Sequence, residues 1–112
     1  MKFSQIPGLS DLKEQLIATA QRNQVPHAML LSGQPGSPNL AIALAFSSYL
    51  NCESRTQEDS CGECSSCSKS LKLIHPDIHY VFPVSSTSSI TAKDARSKVF
   101  LKEWRKFIAE NP

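Results

Sequence analysis

Apolar and polar positions alternate along this chain with two different periods, and the change of period marks out its elements. Leu9, Leu12, Leu16, Ile17 and Ala20 recur at three- and four-residue spacing, which predicts an amphipathic helix over residues 9–22 that packs by one face. Ser10 is placed to cap its start, with Asp11 at the positive end of the helix dipole. Residues 28–32, Ala-Met-Leu-Leu-Ser, form a short continuous apolar run that suits a buried parallel strand, although five residues do not exclude a helical turn. Gln34 to Ser37 read as a turn, and Ser37-Pro38 as the cap and first position of the next helix. In that helix Leu40, Ala41, Ala43, Leu44, Ala45, Phe46, Tyr49 and Leu50 are apolar almost all round, the mark of a buried helix.

Further along, residues 68–74 predict a short helix that ends before His75-Pro76. Residues 78–82, Ile-His-Tyr-Val-Phe, predict a second strand stopped by Pro83, and the Ser/Thr-rich stretch 84–92 a loop. Residues 93–110 predict a charged helix with Phe100, Leu101, Trp104, Phe107 and Ile108 along one face. Periodicity assigns Phe3, Trp104 and Phe107 to the core. Strand, glycine turn and buried helix make half of a βαβ unit, so the expected class is α/β with a parallel sheet and helices on both faces. Two strands are too few for such a sheet. The expectation is therefore a partial fold, or one completed by a second copy.

Composition narrows the function. The chain has 112 residues and a formal charge of +2, too small a charge to imply nucleic acid by itself. Six of the twelve basic residues fall between Lys93 and Lys106, which keeps a nucleic-acid-binding helix open as an alternative to a solvated face. No signal peptide is visible, because Ser4, Gln5, Pro7 and Gly8 interrupt any apolar core at the N-terminus. Asn23 to Cys52 lacks Asp, Glu, Lys and Arg, but prolines and glycines break it so that its longest helix-compatible piece is about 14 residues, short of the ~20 that span a bilayer. A cytoplasmic protein without a membrane contact is expected.

The cysteines carry the strongest chemical signal. Cys52, Cys61, Cys64 and Cys67 follow the pattern Cys-x8-Cys-x2-Cys-x2-Cys and are all the cysteines of the chain. Two residues between thiolates let both sulfurs turn onto one ion, and four thiolates close a tetrahedral shell, so the first reading is one structural Zn²⁺. Gly62 stands after Cys61, where a tight knuckle needs positive φ. An iron–sulfur cluster, two disulfides or a redox pair remain as alternatives. His75 and His79 lie close in sequence, but four sulfurs already fill the shell. For the same reason no position is open for a catalytic water.

Gly33 to Leu40 has the place and length of a phosphate-binding loop, Gly-x4-Gly-Lys-Ser/Thr, after a strand and before a helix. Its chemistry is missing. Pro38 stands at the second glycine and offers no N–H, Asn39 replaces the lysine, and Leu40 replaces the Mg²⁺-holding hydroxyl. No Lys or Arg occurs between Arg22 and Arg55, so no shift of register restores the lysine. An ordinary strand–turn–helix and a phosphate loop that has lost its function both fit Gly33, Gly36, Ser37, Pro38, Asn39 and Leu40.

Taken together, these residues resemble a known family. Val25 to Gly33 is similar to the approach to the phosphate loop in bacterial clamp-loader subunits of the AAA+ class. Ala41 to Cys52 is similar to the helix after it, and Cys61-Gly62-x-Cys64-x-x-Cys67 to the zinc module inserted in the gamma/tau and delta-prime subunits of DNA polymerase III. His75-Pro76-Asp77 and the degenerate loop favour the delta-prime branch, over about residues 3–82. The resemblance implies an N-terminal P-loop AAA+ domain over residues 1–112, with a zinc module at 52–67 inserted after the phosphate-loop helix. It also implies a chain that stops before the acidic Walker B strand and the Ser-Arg-Cys motif, neither of which it contains. The implied function is that of a noncatalytic clamp-loader component in DNA replication, without ATP binding or hydrolysis. Its partners would be gamma/tau and delta, and through the complex the sliding clamp and primed DNA. A gamma/tau-like ATPase relative and a zinc-containing nucleic-acid-binding protein are the alternatives.

Overall fold

A computed structural model describes residues 1–86 and 96–110, and divides the chain into two compact units, Met1–His75 and Pro76–Pro112. The first unit holds a 3₁₀ turn at Phe3–Gln5 and three helices: α1 (Ser10–Gln21), α2 (Asn39–Asn51) and α3 (Ser65–Leu71). The second holds a 3₁₀ turn at Ser97–Phe100 that leads into α4 (Leu101–Glu110).

The core of the first unit forms where the predicted stripe of α1 meets α2. Leu16, Ile17 and Ala20 pack with Ile42, Ala45, Phe46 and Tyr49, and the N-terminal turn adds Phe3 and Ile6. Tyr49 is fully buried and ties three segments together. Its ring lies 6.0 Å from that of Phe3, its hydroxyl donates to the Thr56 carbonyl at 2.9 Å, and the Gln21 amide reaches the same hydroxyl at 3.4 Å. The Arg55 guanidinium stacks over the ring at 5.2 Å from its centroid.

The predicted α/β class is not what forms. Among the described residues there is no strand and no sheet; the structure is helical. Residues 28–32 and 78–82, both expected as strands, are irregular. Apolar content shows that a segment favours burial, but a strand exists only where a neighbour pairs with its N–H and C=O groups. No described segment supplies that ladder, and Leu30 and Val81 are 89% and 90% exposed. The same lack leaves α2 covered on one side only. Leu40 and Leu50 at its two ends are exposed, against the expectation of a helix buried all round.

Helix boundaries also moved. Ser10 is the first residue of α1 rather than its cap, a position taken by Leu9 in the left-handed region (φ 57°), directly after Gly8 at φ 73°. At α2 the cap position falls on Pro38, which has no side-chain acceptor, and the Ser37 hydroxyl turns to the Asn39 side chain instead. The short helix expected at 68–74 begins earlier, at Ser65, because the Cys64 sulfur accepts from the Cys67 N–H and caps it.

In the second unit the helix expected over 93–110 is a 3₁₀ turn followed by α4, and residues 93–95 lie outside those described. The Ser/Thr loop expected at 84–92 is described only for residues 84–86. Trp104 stacks on Phe82 at 5.0 Å between centroids, nearly parallel, and lies 5.0 Å from Tyr80 in a tilted contact. The Ser97 hydroxyl accepts from the Phe82 N–H at 2.9 Å and donates to its carbonyl at 2.7 Å, pinning residue 82 against the turn. Phe107, assigned to the core by periodicity, is 59% exposed, whereas Phe3 is buried as expected.

Tyr49→Phe removes a buried hydroxyl and leaves the Thr56 carbonyl without that donor. We expect a loss of about 1–2 kcal/mol in urea denaturation. Leu30→Ser, at an exposed position, is expected to stay within ~0.5 kcal/mol of the parent.

Candidate metal centre

Four cysteines converge where α2 ends and α3 begins. Cys52 terminates α2, Cys64 precedes the first residue of α3, Cys67 lies in its first turn, and Cys61 stands in the loop between. Gly62 has φ 77°, so the knuckle after Cys61 takes the left-handed turn anticipated for it. The four Sγ atoms lie within 4.8 Å of one another. Cys52 and Cys61 are 3.5 Å apart, Cys52 and Cys64 3.9 Å, and Cys61 and Cys67 3.8 Å. A tetrahedral shell with metal–sulfur bonds of ~2.3 Å puts neighbouring sulfurs about 3.8 Å apart. The donor set therefore fits one metal ion, and none of the four cysteines is in a disulfide.

Backbone amides prepare the sulfurs for negative charge. The Cys61 N–H points at Cys52 Sγ at 3.3 Å, the N–H groups of Glu63 and Cys64 at Cys61 Sγ at 3.4 and 3.3 Å, and that of Cys67 at Cys64 Sγ at 3.4 Å. The amide of Cys67, followed by that of Glu53, draws the Cys64 thiol down to about 6. The amides of Glu63 and Cys64 lower Cys61. Burial pushes Cys67 the other way, up to about 12.

The surrounding residues hold the module together. Ser66 donates to the Asn51 carbonyl, and its oxygen meets His75 Nε2 at 2.8 Å, so the end of α2, α3 and His75 share one hydroxyl. His75 thus sits outside the sulfur group, and His79 belongs to the second unit. Asp59 accepts from the Phe3 N–H and the Ser4 N–H, both at 3.0 Å, and from the Ser60 N–H at 2.8 Å. Burial alone would raise its pKa, but the amides of Ser4, Phe3 and Ser60 together outweigh that and hold the carboxyl below its ordinary value. Sequence reasoning missed Asp59. An acceptor 56 residues from its donor leaves no local signal.

The turn at Gly33–Leu40 is a separate feature of the same unit. Gly36 takes φ 89°, and the side chains of Ser37 and Asn39 fold back over Gly33, where a Cβ would collide with both.

The family model for "DNA polymerase III, delta subunit" matches residues 8–107. The chain is 36% identical to DNA polymerase III subunit delta' of Yersinia pestis over 93 residues, which is 83% of the chain and 27% of that protein. It is 31% identical to DNA polymerase III subunit delta' of Escherichia coli K12 over 77 residues, which is 69% of the chain and 23% of that protein. The chain thus spans about a quarter of the length of the relatives it matches. No solved structure matches it. No helix among the described residues is long and apolar enough to cross a membrane.

Cys67, the one buried thiol of the four, is expected to be alkylated last by iodoacetamide, as read by timed peptide mapping; earlier labelling of Cys67 than of the other three would contradict its burial. For Asp59, a lowered carboxyl contributes stability that is complete above the ordinary carboxylate range and fades as pH falls through the folded-state pKa. The stability gap between the parent and Asp59→Asn, followed by denaturation from pH 7 downwards, is expected to close in that acid range.

Proposed function

The chain belongs to the DNA polymerase III delta-subunit family and is delta-prime-like, and from that premise we propose that it serves as a noncatalytic part of the clamp loader in DNA replication. Under this reading it contributes to assembly with gamma/tau-like and delta-like subunits in the cytoplasm, and meets the sliding clamp and primed DNA only through the complex. The observation that carries the noncatalytic part is the loop at Gly33–Leu40. A phosphate-binding loop works by aiming backbone N–H groups and a lysine at the β- and γ-phosphates, with a hydroxyl on Mg²⁺. Here Pro38 removes a donor, and Asn39 and Leu40 stand in place of the lysine and the hydroxyl.

The metal in this proposal is zinc, held by Cys52, Cys61, Cys64 and Cys67. Four sulfurs at near-tetrahedral spacing support that choice, and a closed sulfur shell gives the ion a structural rather than a catalytic part. The physical need is plain from residues 53–64. They contain no helix and bury only Ser60, so the segment between α2 and α3 has little apolar surface to hold it. A bound ion supplies cross-links that such a segment lacks.

Elemental analysis of protein purified without chelator is expected to give one zinc per chain. Cys61→Ser and Cys64→Ser are each expected to lose most of it, with a lower unfolding temperature. Isothermal titration with ATP and Mg²⁺ is expected to show no binding in the micromolar range. ATP affinity comparable to that of a working phosphate loop would refute the noncatalytic reading.

A further inference from the structure

The cysteine module and the N-terminal turn meet along a closed circuit of contacts, none of which involves a sulfur. Phe3 and Ser4 donate their N–H groups to the two oxygens of Asp59. Asp59 is bound in turn to Thr56: the Thr56 N–H and hydroxyl donate to the Asp59 carbonyl at 3.0 and 3.1 Å, and the Asp59 N–H donates to the Thr56 hydroxyl at 3.1 Å. The Thr56 carbonyl accepts from the buried Tyr49 hydroxyl, and the Tyr49 ring packs on Phe3. The circuit therefore runs from Phe3 through Asp59, Thr56 and Tyr49 back to Phe3.

Its position gives it a consequence for the metal. Tyr49 stands three residues before Cys52, and Asp59 two residues before Cys61. The eight residues between these two ligands are thus clamped near both ends to the hydrophobic core. On the other side of the turn the Lys2 chain lies against Gly62, where an added Cβ would come within 3.2 Å of it. Lys2, Gln5, Ser60, Gly62 and Cys67 line a cavity of about 130 Å³ between turn and module.

We propose that Asp59 is a positioning residue for the metal centre: by holding the Phe3–Gln5 turn and the Thr56–Cys61 loop in one arrangement, it brings Cys61 to Cys52 and couples metal occupancy to the docking of the N-terminal turn. The proposal rests on the zinc reading above. Without the carboxylate, the 53–60 loop must be ordered by the ion itself, and that ordering cost is subtracted from metal affinity. Linkage makes the coupling reciprocal, so whatever the docked turn adds to metal binding, the metal returns to the turn. Thr56 serves the same end by closing the 56–59 turn, so its loss acts in the same direction.

The test uses the full chain, with zinc affinity measured by competition with a chromophoric chelator and the amide NMR signals of Phe3 and Ser4 followed with and without zinc. In the parent, zinc is expected to slow hydrogen exchange at both amides. Asp59→Ala is expected to weaken zinc binding by at least about 10-fold, the size seen when supporting residues around a metal site are removed, and to abolish the zinc effect at Phe3 and Ser4. Asp59→Asn, which keeps acceptor oxygen, is expected to fall between. Should Asp59→Ala not fold, Thr56→Val provides the same comparison with the carboxylate intact. If the parent binds zinc but Asp59→Ala and Thr56→Val bind it equally well, or if Phe3 and Ser4 exchange alike with and without zinc, the coupling is wrong and the zinc site stands. If the parent binds no zinc at all, both readings fall together.

Discussion

Four thiols drawn to within 4.8 Å of one another are the constraint around which the segment joining α2 to α3 is built. They cluster because a helix end, a glycine knuckle and a helix start are arranged in sequence. Cys52 leaves α2, Gly62 turns the chain at positive φ after Cys61, and Cys64 caps α3 with its own sulfur. The amides that reach Cys61 and Cys64 place those two sulfurs in a field that favours thiolate. The local structure of the segment and its capacity for a metal are therefore the same feature. Remove the sulfurs and α3 loses its cap, and only the Ser66 hydroxyl bond to the Asn51 carbonyl is left to tie its first turn to the end of α2.

The module does not stand apart from the hydrophobic core. Tyr49 belongs to both, with its ring among Phe3 and the α1–α2 contact and its hydroxyl on the loop that leads to Cys61. Asp59 joins them a second time through the N-terminal turn. Ser66 joins α3 to the end of α2 and to His75. Small domains with limited burial need such ties, because the entropy of an irregular segment is large compared with what a few apolar side chains contribute. The degenerate loop at Gly33–Leu40 contrasts with this. It keeps the turn that opens α2, with Pro38, Asn39 and Leu40 where a phosphate-binding loop has glycine, lysine and a hydroxyl.

The second unit shows a different economy. Its order comes from three aromatic rings and one hydroxyl, with Trp104 against Phe82 and Tyr80, and Ser97 holding Phe82 at both its N–H and its carbonyl. The period-two pattern of 78–82 survives there without a strand: Tyr80 and Phe82 are half-buried while His79 and Val81 point out. An alternation of this kind records which side chains favour burial, and packing on a helix satisfies it as well as a sheet does.

What the sequence determined by itself was everything that depends on neighbours close along the chain. The stripe of α1, the apolar body of α2, the knuckle at Gly62, the spacing of the four cysteines and the absence of a lysine from Gly33–Leu40 are each written in residues close along the chain. The resemblance to clamp-loader subunits was legible for the same reason, since it rests on motifs in order along the chain. The tertiary structure decided what depends on distant partners. Residues 28–32 and 78–82 did not become strands, because a ladder needs a second strand and none is present among the described residues. Phe107 stayed exposed, because a helix stripe is buried only as far as something packs on it. Asp59, one of several acidic residues in its stretch, became the clamp on Phe3 and Ser4 only once the fold brought residues 56 positions apart together. Local pattern encodes what a segment prefers; the partners that satisfy the preference are set by the whole chain.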